Sequence, residues 1–446
     1  RYSLGVTSGD WNQDGFEDLV SGDVDQVVLF INNTDGTYRR EVHQVPDELG
    51  AAAISSLAIA DINADGVPEL VVVRYVEHER INELPERDSE GRVLRLKTPL
   101  YWNMAKDVVA YQSGQELRWA PLGEQSGEAS TGLGLLIADF DRDQSVDLFV
   151  ANDVRPNQFF ERNTEGDWID SAGIRGLAFN YFGNSTAAMG IAAADFDQSG
   201  SLDLHVTNFD LESSSHYIRR SASRTFIDQA VKSGVNEVSF NQTGFGTQAL
   251  DYQNDGYEDL LVVNGMPENV FKSHAAYAQR SQLLKNINGS FVDADGIEGV
   301  SNACFEERHS SRGLQVLDIQ GDGLLDAVAT RMNHLSGIWV NQTPVSGSFI
   351  KLQLVGVQSA REATGAVVEV FDEEGGQELA NPRWVQAGDG YMGANQSELH
   401  IGLKRVVDVN APLWVEVSWP SGEITGYTVK SNYRSVLVEN EGAIDS

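Results

Sequence analysis

With a single cysteine, Cys304, in 446 residues, the chain can form no disulfide within itself. Its stability must come from packing, hydrogen bonding and whatever it binds. Cys304 itself reads as a small buried apolar residue rather than a reactive thiol. Basic residues are scarce as well: 32 Lys and Arg stand against 66 Asp and Glu, a net charge of −34. That sign argues against nucleic acid and anionic membrane as partners, since both select for basic patches. No apolar run reaches the length of a membrane-spanning helix, so no membrane insertion is expected. The eight histidines, at 43, 78, 205, 216, 274, 309, 334 and 400, never pair at zinc-ligand spacing. No Gly-x-Ser-x-Gly elbow, Walker loop or dinucleotide fingerprint occurs. His205 reads as a packed strand residue, and His400 is expected to pack beside Tyr391. No catalytic residue is assigned.

What the chain has in excess is one acidic phrase, written six times. Its first residues fall at 10, 61, 139, 195, 251 and 318. Calcium takes about six to eight oxygens, and a tight loop supplies them from its first, third, fifth and ninth side chains and its seventh carbonyl. The first loop offers Asp10, Asn12, Asp14 and Asp18 with the carbonyl of Phe16; the second offers Asp61, Asn63, Asp65 and Glu69 with Val67. The third offers Asp139, Asp141, Asp143 and Asp147 with Ser145, and the fourth Asp195, Asp197, Ser199 and Asp203 with Ser201. The fifth has Asp251, Gln253, Asp255 and Asp259 with Tyr257, and the sixth Asp318, Gln320, Asp322 and Asp326 with Leu324. Gly15 marks the sixth position, where a sharp turn needs a residue free to take positive φ. In the third loop Gln144 stands there instead. Four to six calcium ions are expected, with the Ser199 loop the weakest.

These are not EF-hands, because short apolar runs rich in branched residues follow the loops and no flanking helix is indicated. A wider grammar repeats with them. A strand opens on glycine and ends in the first Asp, as in Gly5 to Asp10, Gly134 to Asp139, Gly190 to Asp195, Gly246 to Asp251 and Gly313 to Asp318. The loop, a second strand, a third ending near Asn and a turn, and an aromatic-bearing fourth follow. Four short strands per unit, recurring every 51 to 78 residues, describe a propeller blade better than a flat solenoid. The long stretch Glu79 to Glu128 reads either as an insertion in the second blade or as a further blade without its loop. Its strand candidates are Val93–Leu96 and Asp107–Tyr111. From about Ser346 the grammar stops, and alternating runs such as Phe349–Val355 and Trp414–Trp419 indicate a small sandwich to residue 441, then a frayed tail from Gly442. The insertion Met266 to Arg280, with His274 and Tyr277, is the expected partner-contact loop, against a plain surface helix.

The loops and their strands resemble the FG-GAP/VCBS repeats of integrin-like calcium-binding propellers. Phe182-Gly-Asn-Ser-Thr-Ala-Ala-Met-Gly190 with Val206-Thr-Asn208, and Thr243-Gly-Phe-Gly246 with Asn264-Gly265, are similar to blades of the bacterial relatives of the cartilage acidic protein family. Ala387-Gly-Asp-Gly-Tyr391, Leu399-His-Ile-Gly-Leu403 and Trp419-Pro-Ser-Gly422 resemble the ASPIC/UnbV domain. The resemblance implies an all-β fold: a seven-bladed, alternatively six-bladed, β-propeller over 1–345 and an ASPIC/UnbV-like domain over 346–441. With seven blades, the extra one falls near 80–130. The resemblance brings no reaction with it.

The chain opens on Arg1-Tyr-Ser-Leu-Gly5 already in strand pattern, and calcium loops suit compartments where the ion is plentiful. A secreted, extracellular or periplasmic product is therefore expected, binding a protein or glycan partner. The competing reading is a carbohydrate-active enzyme such as a polysaccharide lyase, which needs a cleft with a base beside a cation cluster.

Overall fold

The computed structural model describes residues 4–77, 86–94, 99–114, 116–123, 128–220, 223–270, 274–295, 303–344 and 347–445. His78 and the side chain of Cys304 lie outside these, as do residues 95–98 and 271–273 of the stretches discussed above.

Among the described residues, six antiparallel meanders follow one another along the chain. In the first, Val6–Gly9, Asp18–Gly22, Gln26–Asn32 and Tyr38–Gln44 pair in chain order. Each acidic loop is the hairpin between a sheet's first and second strands. The inner strands are Val6–Gly9, Ala52–Ala60, Gly132–Ala138, Ile191–Ala194, Gly244–Leu250 and Ser311–Leu317. Apolar layers between neighbouring sheets, such as Leu136, Phe149 and Phe159 against Leu204, Val206 and Tyr217, hold the sheets face to face. The fold is a β-propeller.

Four of the glycines that open inner strands have a packing reason, whereas Gly313, among the described residues, faces only the Thr330 side chain of its own sheet. A side chain at Gly5 would meet the carbonyl of Ser55 in the second sheet, and one at Gly134 that of Met189 in the fourth. Gly190 meets Phe245 in the same way, and Gly246 meets Arg312. Where the second sheet has Ser56 instead, its hydroxyl donates to the Leu133 carbonyl at 2.8 Å. These close approaches stack each inner strand on the next.

Of the two readings given for the stretch Glu79 to Glu128, the described residues fit the insertion in the second blade. Val108–Ser113 and Glu116–Pro121, which cover the Asp107–Tyr111 candidate, are the third and fourth strands of the second sheet. The described residues before them, 86–94 and 99–107, lie between the second and third strands, with bridges at Val76–Met104 and Val93–Val270.

Beyond the ring, Phe349–Val355 pairs with Leu399–Gly402 and, in parallel, with Arg434–Val438. A second sheet joins Val367–Phe371, Arg383–Trp384, Pro412–Ser418 and Ile424–Lys430. The alternating faces of the two meet over Ile350, Leu352, Val368, Val370, Val415, Val417 and Trp419, as period-two burial requires. Residues Ala443–Asp445, expected as a frayed tail, pair with Arg434–Val438 as an edge strand.

The sandwich also sends a segment into the ring. Ala387–Gly388 adds to the inner strand Gly132–Ala138. Gly390 exchanges backbone hydrogen bonds with Ile191, at 2.7 and 2.9 Å. Met392 accepts from the Val6 amide at 3.2 Å, and Gln315 and Val316 of the sixth inner strand donate to Ala394 and Asn395. Asp389 holds this turn by accepting from the Asn395 amide and the Gln248 side chain. Met392 to Asn395 thereby joins the sixth inner strand to the first.

Candidate metal-binding loops

All six loops share one backbone frame. The first Asp accepts two amides, those of the fifth and sixth residues: Asp14 and Gly15 donate to Asp10 at 2.9 and 2.7 Å. The same pair recurs at Asp61, Asp139, Asp195, Asp251 and Asp318. The sixth residue takes positive φ throughout, including Gln144 at +71°. So does the fourth, a place filled by Gln13, Ala64, Arg142, Gln198, Asn254 and Gly321. The fifth residue's carboxylate accepts the seventh amide in five of the loops, as Phe16 donates to Asp14 at 2.9 Å.

The ninth residue is the buried end. Asp18, Asp203 and Asp259 are each 0% exposed, and each ties its loop to the sheet's third strand by accepting an amide, from Asn32, Arg219 and Asn286. Asp18 Oδ2, Asp259 Oδ2 and Asp141 Oδ1 are buried with no hydrogen-bond donor. A buried oxygen without a donor is costly, and a hard cation is the partner such an oxygen fits.

The third position decides how tightly the carboxylates converge. Asp139, Asp141 and Asp143 bring one oxygen each within 4.8 Å of one another, and so do Asp195, Asp197 and Asp203. These are the two loops with Asp in third place. Elsewhere an amide stands there and turns its nitrogen onto a loop carboxylate: Asn12 onto Asp14 and Gln320 onto Asp322, both at 2.9 Å, Asn63 onto Glu69 at 2.8 Å, and Gln253 onto Asp255. The loop with Ser199, expected to be weakest, is thus one of the two most convergent, because Asp203 closes it where Ser199 does not.

Protonation follows the crowding. Burial, reinforced by neighbouring loop carboxylates, pushes Asp139 and Asp195 up to about 6 and Asp251 up to about 7. Burial also raises Glu69 to about 8 and lifts Asp147, Asp203 and Asp259 well above their ordinary value. Asp318 moves the other way: hydrogen bonds from Lys351 and Gly323 and the Lys351 charge together outweigh burial and hold it low.

The sandwich sits on the face that carries these loops, which sequence reasoning did not foresee. Arg361 meets Asp10 at 3.0 Å, and Glu362 accepts the Asp10 amide at 2.6 Å. Arg142 pairs with Glu369 at 3.1 Å, and Arg383 pairs with Glu258. His400 bonds Asn254 at 2.8 Å and stacks on Phe349 at 5.3 Å, so it does not pack beside Tyr391. Tyr391 packs instead on Phe245. Arg224, from the fourth sheet, reaches Asp141 at 2.8 Å and Asp143 at 3.3 Å. None of these partners lies near its loop in sequence, so no local signal marks them. His205 is fully buried beside His216, and no ring nitrogen of either has a partner. Of the expected partner loop, Arg280 pairs with Asp293 and Asp295 and His274 lies 3.3 Å from Asp210.

A family model described as an FG-GAP-like repeat matches residues 10–72 and 139–206, and one described as ASPIC and UnbV matches residues 356–444. Human cartilage acidic protein 1 is 23% identical over 464 aligned positions, covering 98% of this chain and 63% of that protein. The mouse protein of the same name is 24% identical, covering 70% of this chain and 45% of that protein. The chain therefore spans less than two thirds of the length of these curated relatives. Among solved structures, it is similar to an Agrocybe aegerita lectin described as recognising non-reducing terminal N-acetylglucosamine, at 12% identity and a TM-score of 0.41, covering 76% of this chain and 81% of that one. BP39L lectin from Burkholderia pseudomallei matches at 11% identity and a TM-score of 0.41, over 96% and 99% of the two chains. The family matches thus place FG-GAP-like repeats at residues 10–72 and 139–206 of this β-propeller and an ASPIC and UnbV domain at 356–444, in a chain similar at low identity to cartilage acidic protein 1.

Proposed function

We propose that the propeller is a calcium-stabilised binding module of the extracellular or periplasmic space, and that its face opposite the loops takes a protein or glycan partner. The observation that carries the calcium reading is the set of buried carboxylate oxygens without donors, Asp18 Oδ2, Asp141 Oδ1 and Asp259 Oδ2. The convergent group Asp195, Asp197 and Asp203 adds the fourth loop. Calcium would supply positive charge where repulsion and burial otherwise favour protonation.

The docked sandwich supports assigning partner binding to the other face, since it covers part of the loop face. The connections that lead into the inner strands emerge opposite the loops. One of them presents Tyr181 and Phe182, 60% and 68% exposed, with their rings 5.2 Å apart. Exposed aromatic pairs of this kind suit both sugar rings and protein side chains.

Ion binding to the native loops alone stabilises the fold by linkage, about 2.7 kcal/mol for each site held at a hundredfold excess over its Kd. Melting is therefore measured in calcium and in chelator at matched ionic strength. A fall of many degrees on chelation is expected; superimposable curves refute the calcium reading. On a glycan and protein array, Tyr181→Ala with Phe182→Ala should lose the signal that the parent chain gives. Retained signal removes that face from the reading.

A further inference from the structure

The six loops share a frame, yet among the described residues only the sixth has a lysine on a loop carboxylate; in the fifth, Lys285 reaches the Gln253 side-chain oxygen at 3.0 Å instead. Lys351 belongs to the sandwich strand Phe349–Val355, and its ammonium bonds Asp318 Oδ2 with the two side chains 13% and 3% exposed. Each carboxylate oxygen of that loop also accepts a hydrogen bond. Asp318 Oδ1 accepts the Gly321 amide at 2.7 Å and the Asp322 amide at 3.1 Å, and Oδ2 accepts Gly323 at 2.7 Å. Asp322 takes the Leu324 amide at 3.1 Å and the Gln320 side chain at 2.9 Å. Asp326 takes Asn341 at 2.8 Å on one oxygen and Ile319 at 2.9 Å on the other.

The contrast with the other loops is specific. The first, third and fifth each keep a buried oxygen with no donor. Arg361 does reach Asp10 in the first loop, but it is 41% exposed and leaves Asp18 Oδ2 unsatisfied. Among the described residues, no lysine or arginine bonds a carboxylate at the ligand positions of the second or fourth loop. The sixth is also shaped to receive the sandwich. Any side chain at Gly323 would collide with the Phe349 ring, two residues before Lys351. That ring stacks on His400, which bonds the fifth loop at Asn254.

We propose that the sixth loop is a docking socket: the ammonium of Lys351 stands in it where other loops take a divalent cation, and it holds no ion. An ammonium and a divalent cation confined to one small loop repel each other, so the two compete for Asp318. One consequence is that the strength of this domain contact does not depend on calcium. The proposal deepens the calcium reading of the other loops and rests on it.

The test counts calcium per full-length chain by elemental analysis after desalting, with circular dichroism confirming that each variant is folded. Asp141→Asn is expected to lower the count by one, and Asp322→Asn to leave it unchanged. A loss of one ion in both variants overturns the socket alone. A parent count of zero overturns the calcium reading and the socket with it. A double-mutant cycle of Lys351→Met and Asp318→Asn on melting temperature gives a second measurement that needs no ion count. Equal coupling in calcium and in chelator supports the lysine as the resident cation, and coupling that vanishes in calcium overturns it.

Discussion

Replacing Gly388 with alanine isolates what the inserted segment contributes to the ring. Gly388 has φ +86°, and a β-carbon there would run into the backbone carbonyl of Leu135, which no side-chain rotation can relieve. Gly36 is the matched control, because it has the same φ of +86° and open space around it. The left-handed backbone costs an alanine about 1–2 kcal/mol at either site. Only at Gly388 must the segment also move, and with it the bonds Asp389 to Leu135, Gly390 to Ile191, Ile191 to Gly390 and Val6 to Met392. At about 1 kcal/mol net for each backbone hydrogen bond, Gly388→Ala should lose about 4 kcal/mol more than Gly36→Ala. Hydrogen exchange reads this locally, since the Ile191 and Val6 amides lose protection when the segment leaves. Equal losses in the two variants, with both amides still protected, would refute the reasoning.

Two further outcomes follow from individual residues. Gln144→Gly relieves a non-glycine residue at φ +71°, and after the entropy cost of glycine in the unfolded chain should raise stability by about 0.5–1 kcal/mol; urea unfolding in chelator checks it, and a loss contradicts it. Burial holds His205 down at about 3 against an ordinary value of 6.5, so the unfolded chain takes up the proton first as acid is added. The stability it leaves intact above pH 6.5 should fall between there and about 3, by up to about 1.4 kcal/mol per pH unit. His205→Leu should flatten that slope, and an unchanged acid profile argues against the buried neutral imidazole.

The loops were legible because their chemistry is written in consecutive residues: Asp at the first place, a turn former at the sixth and a strand directly after. The glycines opening Gly134–Asp139 and Gly190–Asp195 were visible too, although their reason, a neighbouring sheet's carbonyl, is not. Positive φ at the fourth place escaped, since Gln13, Ala64, Arg142 and Gln198 carry no left-handed preference and are held there by the frame. The strand near Asp107 was found, but its sheet was left open because a long insertion separates it from its partner Glu69–Glu77. Ala387–Tyr391 was recognised as a motif and not as part of the ring, and Met392 to Asn395 were not singled out. The segment is short, polar and glycine-rich, and its pairing partners lie hundreds of residues away, so nothing in its own pattern points to them. The lysine and arginines that meet the loops are hidden for the same reason.

Because Met392 to Asn395 links the sixth inner strand to the first, the circle is not finished when its last sheet has been synthesised. Until that segment is made, the first and sixth inner strands lack this link, and strands left without it are expected to be open to a second copy. A product truncated before residue 387 should therefore associate through those strands, whereas the sandwich, with its own core, can fold apart from the ring.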